Sequence, residues 1–135
     1  MRIAVVCAAG GRGEIPDYVN SLAKGMSLMG HRVDVINAWT DDGMRLPGYE
    51  YIAVCVEPSF WGGRIPLVIP KVLAAGSSVA GRKSGAFIKK TSPFYMNRAI
   101  ANLMKAMEKE GMIVNWSDFI LNASHAEELG KKIGA

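Results

Sequence analysis

Residues 2–8, Arg-Ile-Ala-Val-Val-Cys-Ala, form a run whose side chains after Arg2 are apolar at every position, and the glycine-rich turn Gly10-Gly11-Arg12-Gly13 follows almost at once. A strand with one face in water alternates apolar and polar residues; a run without alternation is a strand buried on both faces, as in a parallel sheet. The next segment supplies a helix. Ile15, Val19, Leu22, Ala23, Met26 and Met29 recur at helical spacing. Pro16 fits the first turn, where a missing N–H costs nothing, and Gly30 fits the stop.

The same alternation continues along the chain. Residues 32–37 alternate as an edge strand does, and Tyr51 to Val56 is almost wholly apolar. Pro70 inside a helix would remove a hydrogen bond and clash, so the second helix is predicted to begin near Pro70 and end by Gly76. A fourth strand runs from Ser84 to Lys89. Thr91-Ser92-Pro93 reads as a helix start, a hydroxyl cap followed by proline at the first helical position. Ile100, Leu103, Met104 and Met107 give that helix its apolar face, and Gly111 ends it. Residues 112–121 read as a fifth strand, weakened by Asn115, Ser117 and Asp118, and Ser124 as the cap of a last helix ending near Ile133. Strand and helix alternate five times, which argues an α/β fold: a parallel sheet with helices on both faces. The 135 residues suit a single domain, 1–135.

Several function classes are disfavoured. No apolar run reaches the roughly 20 residues a membrane helix needs. The stretch Ile3 to Ala9 is too short for a signal-peptide core and has no convincing cleavage site, so a cytoplasmic protein is expected. Cys7 and Cys55 sit in separate apolar runs, as buried thiols do. His31 and His125 are far apart, and no Cys/His cluster suggests a metal. The net charge of +4 favours anionic partners but is too dispersed for nucleic acid. No Ser–His–Asp or Cys–His arrangement is readable.

In open α/β sheets ligands bind at the carboxyl ends of the strands. Three loops would meet there. The first, Ala9-Gly10-Gly11-Arg12-Gly13-Glu14, could turn backbone N–H groups toward a phosphate at a helix start; a plain tight turn also needs glycine. The second carries Phe60 and Trp61 before Gly62 and Gly63, aromatics that could stack on a planar ring or close the core. The third supplies Thr91, Ser92, Phe94 and Tyr95, of which the hydroxyls could equally be helix caps. Arg12, Arg64, Lys89 and Lys90 map to the same edge and would favour an anionic ligand, or are solvated loop charges.

The run Glu57-Pro58-Ser59-Phe60-Trp61-Gly62-Gly63-Arg64-Ile65-Pro66 resembles the flavin-ring loop of the flavodoxin-like family, which includes flavodoxins and FMN-dependent quinone or NAD(P)H reductases. Lys83-Ser84-Gly85-Ala86-Phe87 is similar to that family's fourth strand, and Leu103 to Val114 to the helix-to-strand passage after it. The resemblance spans nearly the whole chain. It implies a three-layer sandwich with a five-stranded parallel sheet in the order 2-1-3-4-5. It implies FMN as cofactor, with residues 9–14 at its phosphate. Pro58, Ser59, Phe60, Trp61, Gly62 and Gly63 would lie along one side of the isoalloxazine, and Thr91, Ser92 and Phe94 along the other. A homodimer is also implied by the reductases of this fold.

Two features depart from the family pattern. Its phosphate loop carries several Ser or Thr hydroxyls, whereas residues 8–13 here have none. Electron-shuttle flavodoxins are acidic, and this chain is basic. Three readings follow, the first two being an FMN-binding oxidoreductase or electron-transfer protein and a cofactor-free flavodoxin-like binding or assembly module. Another phosphorylated planar ligand at the same edge is the third. The redox partner and substrate are not readable.

Overall fold

The computed structural model describes residues 1–8, 14–58, 63–75, 79–91 and 93–133. Its strands are β1 (Arg2–Ala8), β2 (Arg32–Asn37), β3 (Tyr51–Val56), β4 (Lys83–Lys89) and β5 (Ile113–Ile120). They form an all-parallel sheet in the order β2-β1-β3-β4-β5. The helices are α1 (Asp17–Leu28), α2 (Val68–Ala75), α3 (Met96–Lys109) and α4 (Ala123–Lys132), with a 3₁₀ turn at Leu46–Gly48. The three central strands are the apolar runs, and the two edge strands are the ones that carry polar residues, as burial on two faces against one requires.

Strand parity divides the core in two. Ala4, Val6, Ile52, Val54, Ala86 and Ile88 face α2 and α3, packing on Ile69, Leu73, Ala99, Leu103 and Met107. Ile3, Val5, Cys7, Ala53, Cys55 and Phe87 face α1 and α4, packing on Val19, Leu22, Met26, Ala126 and Leu129. Cys7 and Cys55 are register partners in the second layer, both buried as reduced thiols. Burial pushes the Cys55 thiol up from its ordinary value, so it stays protonated.

The expected elements all form, with shifted boundaries. Helix α2 begins at Val68 rather than Pro70. Pro70 is its third residue, where the N–H would have no intrahelical acceptor, so the ring is tolerated. Helix α3 begins at Met96, so Thr91 is not its cap and Pro93 is not its first residue. Tyr95 has left-handed backbone (φ 65°, ψ 8°), which breaks any helix continuing from Pro93. Pro16 is the residue before α1 rather than inside its first turn. Strand β5 runs unbroken, because a register shift between Ser84 and Gly85 absorbs Asn115, whose Oδ1 accepts from the Tyr51 hydroxyl at 3.0 Å.

Ser124 is not the cap of α4. Asn122 is, its Oδ1 accepting the His125 N–H at 2.9 Å. Asn122→Ala is expected to lower the unfolding free energy by about 1 kcal/mol, measured by urea denaturation, while Ser124→Ala changes it little.

Candidate functional site

Ala8 of β1 pairs with Val56 of β3, and Val56 with Ile88 of β4, so these three strands end in line. The chain leaves β1 toward β2 on one side and later places β3 on the other. The loops after β1 and β3 therefore part company at this rim, the topological switch point where ligands bind in open α/β sheets.

Two of the three predicted loops demonstrably meet. Gly63 is buried with left-handed backbone (φ 69°) against the start of α3. A Cβ there would lie 2.7 Å from the Tyr95 carbonyl oxygen and 2.8 Å from the Ala99 nitrogen. Asn102 Nδ2 donates to the Gly63 carbonyl at 3.1 Å, closing the junction. The seat for Gly63 is formed where Tyr95 turns left-handed, which is why α3 starts three residues later than Pro93.

Of the other candidates, Glu14 is exposed just before α1 and Pro58 is buried just after β3. Thr91 is exposed, and Phe94 is 66% exposed. Ala9, Gly10, Gly11, Arg12, Gly13, Ser59, Phe60, Trp61, Gly62 and Ser92 lie outside the described residues.

A cluster that the sequence did not reveal ties the first loop's helix to the other strand ends. The Tyr18 hydroxyl of α1 donates to Glu57 Oε1 at 2.9 Å. Lys89 Nζ, at the end of β4, lies 5.7 Å from the Tyr18 ring centroid and donates to the Leu121 carbonyl at 3.1 Å. Lys89 is thus committed to structure, whereas Arg64 and Lys90 are exposed. The only signal for Tyr18 was its place one turn before Leu22 on the apolar face of α1; its polar tip reaching β3 is a tertiary fact. Asn102 had no sequence signal.

Burial first, then the bond to Glu57 and the charge of that carboxylate, raise the Tyr18 pKa. Burial likewise raises Tyr51. The unfolded chain ionises these phenols near 10.0, the folded chain only above it, so the folded state holds more protons past that point. Their contribution is intact below about pH 10 and is lost as pH climbs. Stability should therefore fall steeply above about pH 10, and Tyr18→Phe should flatten that alkaline limb, read as urea midpoints across pH.

A cavity of about 430 Å³ opens at the same rim on the β5 side, between the starts of α3 and α4. Another, of about 320 Å³, lies at the opposite, amino-terminal edge beside Tyr51 and Trp116. Among the described residues no group of His, Cys, Asp and Glu could hold a metal ion, and no helix is long and apolar enough to cross a membrane.

No family model matches this sequence, and no curated protein is detectably similar to it. Solved structures are. A flavodoxin from the domain Archaea superposes with a TM-score of 0.73 at 18% identity, over 98% of this chain and 96% of that one. The Streptococcus pneumoniae TIGR4 flavodoxin gives 0.75 at 14% identity, over 98% and 97%. This chain has the flavodoxin fold. The Flv1 flavodiiron core of Synechocystis contains a similar unit, with a TM-score of 0.68 at 16% identity, over 97% of this chain and 34% of that chain. The sheet order and the three-layer arrangement on both faces are those the resemblance implied. In the flavodoxin fold of this chain, the rim just described is the carboxyl edge of β1, β3 and β4.

Proposed function

We propose that residues 1–135 act as one domain that binds FMN, or a closely similar phosphorylated planar molecule, at the carboxyl edge of the sheet, and serves in flavin-dependent redox chemistry. The observation that carries this reading is the junction at Gly63, which joins the loop after β3 to the start of α3 beside an exposed Phe94. Such a junction holds two walls at a fixed separation, as a flat ligand requires. The residues suit the group: glycines that allow close approach, aromatics for stacking and a helix start near a phosphate.

In this reading Gly10, Gly11, Arg12 and Gly13, with Ala9 and Glu14, surround the phosphate. Pro58, Ser59, Phe60, Trp61, Gly62 and Gly63 flank one face of the ring, and Thr91, Ser92 and Phe94 the other. Bound FMN would supply the electron or hydride transfer itself. The protein's part is to position the ring and exclude water from it. Tyr18 and Glu57 brace the rim through their hydrogen bond.

One observation favours a second reading. The absence of Ser and Thr hydroxyls from residues 8–13 weakens phosphate binding and suits a cofactor-free binding or assembly module. Titration of the purified protein with FMN, watching flavin fluorescence, separates the two. Saturable quenching with a Kd of about micromolar supports the first. Unchanged fluorescence at large excess of FMN removes it and leaves the second.

A further inference from the structure

The cavity beside β5 shares only Pro93 with the loops assigned to the flavin among the residues that line it, and its chemistry is distinct. We propose that it binds a small aromatic monocarboxylate. This does not rest on flavin binding, since none of the donors invoked belongs to the flavin loops except Lys90, which borders the third.

Three residues with donor groups line the cavity. Lys90 at the end of β4 offers an exposed ammonium, and Asn97 offers its amide from the first turn of α3. The third is His125. Its Nδ1 accepts the Leu121 N–H at 3.1 Å, which places the proton of the neutral ring on Nε2 and makes that nitrogen a donor. Two helices of fourteen and ten residues begin here, and neither carries an acidic residue in its first turn. Their N-terminal partial charges add to the same preference for an anion.

The remaining walls decide what kind of anion. Met96 and Phe119 line the cavity with apolar surface, suited to a ring. Asp118 also lines it, and its Oδ1 accepts the adjacent Phe119 N–H at 2.8 Å. A fixed carboxylate at the edge of the cavity opposes a second negative charge on the ligand. A monocarboxylate therefore fits better than a phosphate monoester. A volume of about 430 Å³ accommodates a one- or two-ring acid.

The test is an amide-resolved NMR titration of the whole chain, without flavin, using benzoate, phenyl phosphate and benzyl alcohol. Benzoate should give saturable shifts centred on Asn97, Phe119, Leu121 and His125. Phenyl phosphate and benzyl alcohol should each bind about tenfold more weakly. Lys90→Gln combined with Asn97→Ala should weaken benzoate by about tenfold, while Lys105→Gln, exposed on the same helix, should not. Both substituted positions are exposed, so the fold should survive, as the dispersion of the spectrum would show. Absence of saturable benzoate shifts at this corner overturns the proposal. So does equal binding of benzyl alcohol, equal or tighter binding of phenyl phosphate, or an unaltered affinity in the double variant. Failure of FMN to quench leaves all these outcomes readable.

Discussion

Gly25→Leu should lower the unfolding free energy by about 3 kcal/mol and the melting temperature by roughly 10 °C. Helices α1 and α4 pack side by side on one face of the sheet, and Gly25 and Gly130 are the residues at which their backbones touch. A Cβ on Gly25 would run into the Glu127 carbonyl oxygen and stand 3.1 Å from the Gly130 Cα. A Cβ on Gly130 would meet the Leu22 carbonyl oxygen and stand 2.9 Å from the Met26 nitrogen. These obstacles are backbone atoms, so no side-chain rotation relieves them. The helices must separate, opening the layer that Leu22 and Leu129 close. Replacing glycine inside a helix would otherwise gain up to about 1 kcal/mol from propensity, so a net loss isolates the packing effect. Calorimetry and urea unfolding read it directly. A midpoint equal to or above that of the parent chain would mean that α1 and α4 do not approach this closely.

That contact marks the boundary of what the sequence discloses. The sheet was legible because burial on two faces leaves a signature in single residues: β1, β3 and β4 are apolar at both parities, and their order of burial follows. Helix faces were legible for the same reason, through Val19, Leu22, Leu103 and Met107. Gly25 and Gly130 were not, because a glycine admitting a neighbouring backbone leaves the same letter as one that ends a turn. The start of α3 was misplaced because Thr91-Ser92-Pro93 is a good local cap, and a tertiary contact with Gly63 overrides it three residues on. The corner at Asn122 and His125 shows a milder case: Ser124 and Asn122 are both capping residue types, and the structure has Asn122 accept the His125 N–H. At the rim, loop positions were readable from strand ends, but the Tyr18–Glu57 bond joins residues 39 apart in sequence and has no pattern to betray it.

Gly63→Ala should weaken FMN binding by at least about tenfold and cost about 2 kcal/mol of stability. Two effects add. A left-handed backbone with a Cβ is disfavoured by about 1–2 kcal/mol, and Gly63 has a φ of 69°. The new methyl would also press on the Tyr95 carbonyl oxygen at 2.7 Å and the Ala99 nitrogen at 2.8 Å, forcing the two walls apart. Asn102→Ala provides the gentler comparison. It deletes the 3.1 Å hydrogen bond to the Gly63 carbonyl without adding an atom, so it should cost about 1 kcal/mol and loosen the junction less. If the junction sets the width of a flavin slot, affinity should decline in the order parent, Asn102→Ala, Gly63→Ala, measured by fluorescence with denaturant curves alongside. If both variants lose stability as stated yet bind FMN as the parent does, Gly63 serves packing alone. The walls of the slot must then be sought elsewhere on the rim.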